Sequence, residues 1–341
     1  MATIKDIARL SGYSIGTVSR VINKHPDVSD KARSAIEKVI KEAGFQPNSN
    51  AKLLKQTVSS AITIFVKGTK NVFLEDILER IQTHLRKSGE EAAVVFLDES
   101  ENEIKAALQT ELERHPRGFI FLGGSLDHFR ESFSSLSTPS TLVSADASSI
   151  ESSLLSSFAT DDFQGSREAA KLLIENGHTK IGIIGGYMSY FKDQITSSRL
   201  AGTVECMKEY GIEIDLDQQF VPSRFSMDDG YRAAKKLLKK NPDLTAVMTH
   251  SDEIAIGALR AFNDMGKRVP EDISLIGFDG IEYIRYTIPR IATIRQDTET
   301  MARKAVDDLL MRISYPRNGV HETIPFEVID KESIRKIEND R

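Results

Sequence analysis

Near the start of the chain Ile15, Gly16, Thr17, Ser19 and Arg20 share the outward side of a short helical pattern and carry the chemistry of reading DNA. A guanidinium can bond both major-groove acceptors of guanine, and an apolar side chain can meet the thymine methyl. The same pattern turns Val18, Val21 and Ile22 inward, with Ser14 placed to cap the first turn. No comparable signal for covalent or metal chemistry occurs. The seven histidines are scattered, no GxGxxG follows a strand pattern, and there is neither a nucleophile elbow nor a Walker loop. The expectation is therefore a protein that is not an enzyme and needs no cofactor or metal.

The elements that must hold these residues are short. Thr3 can cap a preceding helix in which Ile4, Ile7, Ala8 and Leu10 share a face, Asp6 can close its capping box, and Ser11-Gly12-Tyr13 ends it. Two helices joined by such a turn form a helix-turn-helix, whose second helix enters the major groove. The spacing alone also fits a helical hairpin that merely packs. A third helix runs from its Ser29 cap to about Ala43, with Ala32, Ala35, Ile36, Val39 and Ile40 inward and Gly44 as its stop. Pro47 then breaks the chain, and Asn48 or Ser49 could cap one further turn.

Charge divides the chain unevenly. The first 60 residues hold ten Lys and Arg against five Asp and Glu, which leaves 35 against 45 for the remainder. The basic end is the small end, the sign needed to neutralise phosphates, while an acidic remainder limits indiscriminate adhesion to DNA. No apolar stretch reaches the ~18 residues of a membrane span, and no apolar signal region opens the chain. The single cysteine, Cys206, excludes an intrachain disulfide and fits a reducing cytoplasm.

From Ala61 onward strand and helix patterns alternate: strands at 61–66, 92–97, 118–122 and 140–143, helices at 72–87, 101–114 and 126–136. This order implies a parallel sheet covered on both faces. The serine-rich run Ser144 to Ser157 reads as loop. A second set follows, with helices at 162–176, 197–210, 227–240 and 251–265 and strands at 180–184, 219–221, 246–248 and 274–278. Two similar lobes are the simplest reading, and sheets of this kind bind ligands beyond the carboxyl ends of their strands. A strand at 291–294, a helix at 297–313 and a strand at 322–328 return across the lobes. With 40% hydrophobic residues, the chain has ample material for two such cores.

Several motifs make the reading specific. TIKDIA, GTVSRVIN and QPNSNAKLLK at the start, then AAKLLIENGHTKIGIIGG, SDEIAIGALRAF, VPEDISLIGFDG and IPRIATIRQD, are together similar to the lactose/galactose repressor family over nearly the whole chain. The resemblance implies a small all-α helix-turn-helix domain at 1–46 and a hinge helix and linker at 47–60. An α/β periplasmic-binding-protein-like domain of two lobes with parallel sheets follows at 61–341. Its N-lobe would take residues 61–157 and 291–322, and its C-lobe 158–290 and 323–341. It further implies a homodimer on a near-palindromic double-stranded operator, with no membrane partner, repressing transcription in the bacterial cytoplasm under a small-molecule effector. Nothing after Val328 forms several leucine heptads, so a dimer is expected rather than a coiled-coil tetramer.

Residue by residue, the resemblance sets Ile15, Gly16 and Arg20 against base edges and Ser14, Thr17, Ser19 and Asn23 near phosphates. Thr3, Asn48, Ala51 and Lys55 join them on DNA, and Leu54 matches a leucine that wedges between base pairs in the minor groove. Gly16 departs from the longer polar residue often found there. In the effector domain the resemblance implies that Arg199, Asp279, Phe225, Ser251 and Asp252 line a cleft, faced by Phe73, with Gly124 and Asp161 nearby. A guanidinium and a carboxylate can bracket vicinal hydroxyls while an aromatic ring offers a flat face to a sugar or a base. A sugar or sugar derivative is the expected effector and a purine the alternative; a sugar-processing enzyme fused to a DNA-binding module is more remote. Each residue also has a plain structural reading: Asp279 as a helix cap, Arg199 as a surface ion pair, Phe225 as core. Ser251 stands where asparagine is common, and Val72 where proline often follows Asn71.

Overall fold

The structure, a computed structural model, describes residues 4–22, 28–43, 61–69, 71–186, 190–191, 194–195 and 197–337. Two compact units divide the chain, Met1–Ser59 and Ser60–Arg341. Thr3, Asn23, Asn48, Ala51, Leu54 and Lys55, with the expected hinge at 47–60, lie outside the described residues.

Among the described residues the first unit holds three helices, α1 (Ile4–Ser11), α2 (Ile15–Ile22) and α3 (Asp30–Glu42). Gly12 turns the chain at φ +73°, a conformation that costs glycine nothing. Ser14 caps α2, its Oγ accepting from the Thr17 N–H at 3.2 Å, and Ser29 caps α3 through the Ala32 N–H at 3.4 Å. Ile7, Ala8, Val18, Val21, Val28, Ala32 and Ile36 form the core. Leu10, expected on the inner face, is exposed instead. It lies on the flank of the stripe that Ile7 and Ala8 bury, and no described element covers it.

In the second unit two six-stranded sheets carry the chain. The first contains β1 (Ile62–Lys67), β2 (Ala92–Leu97), β3 (Phe119–Leu122), β4 (Ser140–Val143), β5 (Leu155–Thr160) and β13 (His321–Ile324), in the order β13-β5-β4-β3-β1-β2, all parallel. The second contains β6 (Ile181–Gly185), β9 (Phe220–Pro222), β10 (Ala246–Thr249), β11 (Ser274–Asp279), β12 (Ala292–Gln296) and β14 (Phe326–Ile329), in the order β14-β12-β11-β10-β6-β9, with only β14 antiparallel. A two-stranded pair, β7 (Tyr190–Phe191) and β8 (Gln194–Ile195), stands apart. Of the helices, α4 (Val72–Lys87), α5 (Glu103–Arg114) and α6 (Leu126–Ser132) belong to the first lobe. To the second belong α7 (Asp162–Glu175), α8 (Ser198–Glu209), the single turn α9 (Leu216–Gln219), α10 (Met227–Lys240) and α11 (Asp252–Asp264). The last, α12 (Thr298–Ser314), packs on α4, β4 and β5 and so returns to the first lobe.

The chain crosses between sheets three times: after Thr160, after Gln296, and between Ile324 and Phe326. These points differ from the expected lobe boundaries. Residues 155–160, expected to be loop followed by the C-lobe, are a strand of the first sheet, and 292–296, expected in the N-lobe, belong to the second. The serines of β5 disguise it as loop. Ser156 and Ser157 are buried, but Ser156 Oγ accepts from the Val320 N–H at 3.0 Å and Ser157 Oγ pairs with His321 Nδ1 at 2.8 Å. Hydroxyls satisfied by the neighbouring strand fill a core position without an apolar side chain. All three crossings leave from strand carboxyl ends, which sets those ends of the two sheets against one another as the walls of a cleft.

Candidate functional site

On the first unit, the outward side of α2 presents Gly16 and Arg20, both exposed, and Ser14, whose hydroxyl lies 2.9 Å from that of Thr17. A Cβ added at Gly16 would meet only Ser14 Oγ, at 3.7 Å. Packing therefore does not demand glycine there, and the position is open toward a partner. The side chains of Ile15 and Ser19 lie outside the described residues.

At the strand ends of the second sheet, Arg199 is the centre of a polar cluster. It sits in the first turn of α8, its guanidinium carbon 3.8 Å from the centroid of the Phe278 ring. Nε reaches Asp162 Oδ1 at 3.1 Å, and Nη1 donates to Asp279 Oδ1 at 3.2 Å and to the His250 carbonyl at 2.5 Å. Gln296 Nε2 donates to the same Asp279 oxygen at 2.8 Å. Asp279 ends β11 at φ +115°, a backbone strain of about 1–3 kcal/mol for a residue with a Cβ. That strain aims a carboxylate across the strand end.

Protonation follows burial. Burial pushes the Asp279 carboxyl up to about 7, against the opposing pull of Arg199. Burial likewise raises Asp162, which Arg199 again opposes. For Arg199 burial pulls downward, but Asp162 and Asp279 outweigh it and hold the guanidinium above its ordinary value. The cation is permanent.

Other expected residues take different places. Asp252 is buried, and its carboxylate accepts from the N–H groups of Gly280 (2.6 Å) and Ile281 (2.9 Å) and from the Thr293 hydroxyl (2.6 Å). It fastens the loop that carries Asp279 rather than lining the cleft. Ser251 is also buried and caps α11, accepting from the Ile254 N–H at 3.2 Å. Phe73 is buried in the first core, and Asp161 caps α7 through the Gln164 N–H at 2.9 Å. It is Asp162, one residue on, that reaches Arg199. Gly124 follows β3, where a Cβ would press to about 3 Å on Phe129 and on Glu103 Oε1. Phe225 is half-buried, its ring edge 3.4 Å from where a Cβ on Gly186 would sit.

Residues not foreseen complete the cleft. Glu253 is buried, and its Oε2 accepts from the Val72 N–H at 3.2 Å, so the second lobe supplies a carboxyl oxygen to the first turn of α4. Burial, with Asp279 nearby, raises its carboxyl to about 8. At the rim Arg224 reaches across to Asp98 at 2.8 Å and Glu99 at 3.4 Å. Gln296 lies in the IRQD motif, Glu253 in SDEIAIGALRAF, and Asp162 directly after Asp161; His250 gave no signal beyond its position after a strand. An open basic groove of about 480 Å³ lies elsewhere, along α10, lined by Tyr231, Arg232, Lys235, Lys236, Lys239 and Lys240. Among the described residues no group of His, Cys, Asp and Glu could hold a metal, and no helix is long and apolar enough to cross a membrane.

A family described as bacterial regulatory proteins of the lacI family matches residues 3–48, and a periplasmic binding protein-like domain matches 170–334. The HTH-type transcriptional regulator MalR of Clostridium butyricum is 32% identical over 342 residues, covering 97% of this chain and 98% of its own. The chain belongs to the lacI family. Like its relatives, this lacI-family protein is a DNA-binding transcriptional regulator, a repressor by class. A solved complex of the regulator CelR with cellobiose matches 98% of this chain and 100% of its own at 26% identity and TM-score 0.67. The lac repressor dimer bound to operator and the anti-inducer ONPF has the same fold, with TM-score 0.70 at 23% identity, over 98% and 99% of the two chains. In the lacI-family architecture the helix-turn-helix is the first unit and the cleft belongs to the two-lobed domain.

Proposed function

We propose that the protein is a cytoplasmic, non-enzymatic repressor that binds a near-palindromic operator as a homodimer and responds to a carbohydrate held at Arg199 and Asp279. The observation that carries the effector class is that pair: a donor and an acceptor 3.2 Å apart at the strand ends of the second sheet. A sugar face with adjacent hydroxyls matches this spacing, and Phe225 supplies a flat apolar surface beside it. The cellobiose held by CelR supports the same class. Dimer formation is supported by Tyr283, Tyr286 and Ile288, 51%, 75% and 94% exposed in one segment of the second lobe.

On DNA, Arg20 reads a base edge and the hydroxyls of Ser14 and Thr17 meet phosphate, while two chains set two readers about a helical turn apart. An effector that binds one arrangement of the lobes more tightly shifts the population toward it. The coupling to DNA is then typically about 1–3 kcal/mol. Two experiments test this. Arg20→Ala should cost about 1–3 kcal/mol on the selected operator and relax its base preference; an equal loss on every sequence would make Arg20 a phosphate contact. A thermal-shift screen with sugars, sugar phosphates and purines should find a carbohydrate that raises the melting temperature. A purine alone doing so would replace the effector class.

A further inference from the structure

His250 follows β10 directly and is 2% exposed, yet its Nε2 has no hydrogen-bond partner. A buried polar atom left unpaired is uncommon in a folded protein and calls for an explanation. Its surroundings are those of the cleft. The ring lies over Gly185 so closely that a Cβ there would stand 2.0 Å from Nδ1, while Phe225 lies over the next residue, Gly186. The His250 carbonyl is held by Arg199, and its ring stands 6.4 Å from that of Phe220. Burial, with Arg199 alongside, lowers its pKa to about 3, so the ring is neutral at physiological pH. Packing alone would be served better by phenylalanine, which fills the same space without stranding a nitrogen.

We infer that His250 is a further specificity-determining contact of the effector, its Nε2 meeting a hydroxyl of the bound sugar beyond the pair held by Arg199 and Asp279. A hydroxyl both donates and accepts, so it satisfies Nε2 in either neutral tautomer, whereas an N–H or a carbonyl of a base would suit only one. The inference rests on the carbohydrate reading of the cleft.

The test compares full-length wild type, His250→Phe, His250→Gln and Arg199→Ala in melting and in calorimetric titration with cellobiose, ribose and hypoxanthine. His250→Phe should melt higher than wild type without ligand, because the stranded nitrogen is gone. It should bind the responding sugar about 10- to 100-fold more weakly. His250→Gln, whose terminal amide reaches the place of Nε2, should recover most of that loss. Sugar binding that depends on Arg199 but is unchanged in His250→Phe, or a glutamine variant no better than phenylalanine, overturns the role of His250 alone. A wild type that responds to neither sugar, or an Arg199→Ala that binds as wild type does, overturns the carbohydrate reading and this inference with it.

Discussion

At the strand ends of the first lobe the buried carboxylate is Glu103, and both its oxygens are engaged. Oε1 accepts from the Ser125 N–H at 2.6 Å, and Oε2 meets Lys67 Nζ at 2.5 Å and His128 Nδ1 at 2.9 Å. At the strand ends of the second lobe Asp162 and Asp279 share a single guanidinium, that of Arg199, with Asp252 and Glu253 close by, and burial raises all four. Orphaned atoms, His250 Nε2 and Gln296 Oε1, lie beside them. The two lobes share a topology but not a purpose for their buried charge. The first cluster is completed by the protein itself and holds a loop; the second has unused donors and acceptors, and a polar ligand is what would complete it.

This contrast can be broken most forcefully in the first lobe. Lys67→Ala strips the ammonium from a carboxylate that is 1% exposed, so unfolding free energy should fall by about 3–5 kcal/mol while the effector response of the folded protein stays unchanged. A lost effector response at full stability would mean that the first cluster, too, belongs to the ligand site. Glu253→Gln sharpens the contrast from the other side. The Glu253 carboxyl is raised from its ordinary value of 4.5 to about 8, so the folded chain keeps a proton that the unfolded chain releases. Stability therefore falls as pH rises between 4.5 and 8. The glutamine variant, which still offers an oxygen to the Val72 N–H, should remove that slope, gaining a few kcal/mol over wild type at pH 8 and almost nothing below pH 4.5. Denaturant melts across this range decide it; parallel curves would show that Glu253 ionises freely.

How much of this was legible depends on which forces set each element. Helix 72–87 and helix 227–240 were read with their bounds intact, because Asn71 and Ser226 cap them and their buried residues recur at helical spacing. Strand 155–160 was not, because its serine hydroxyls are satisfied by a strand more than 150 residues away in sequence. The crossing of 292–296 into the second sheet depends likewise on pairing with β11. In the site, Arg199 and Asp279 stood out by motif and are joined in the fold. Ser251 and Asp252 share a motif with helix α11 and so read as lining, but Ser251 caps its first turn and Asp252 fastens the loop after β11. His250 could not be found from spacing, since its significance comes from an unpaired nitrogen over Gly185.

The most direct measurement is operator affinity of the full-length protein, by fluorescence anisotropy on a duplex selected from random sequence, over excess competitor DNA, with and without the sugar found by the melting screen. Wild type should prefer the selected duplex, and the sugar should change its Kd by about 5- to 150-fold, while Arg199→Ala keeps the affinity and loses the change. No preference over competitor DNA, or an undiminished sugar response in Arg199→Ala, would contradict the account.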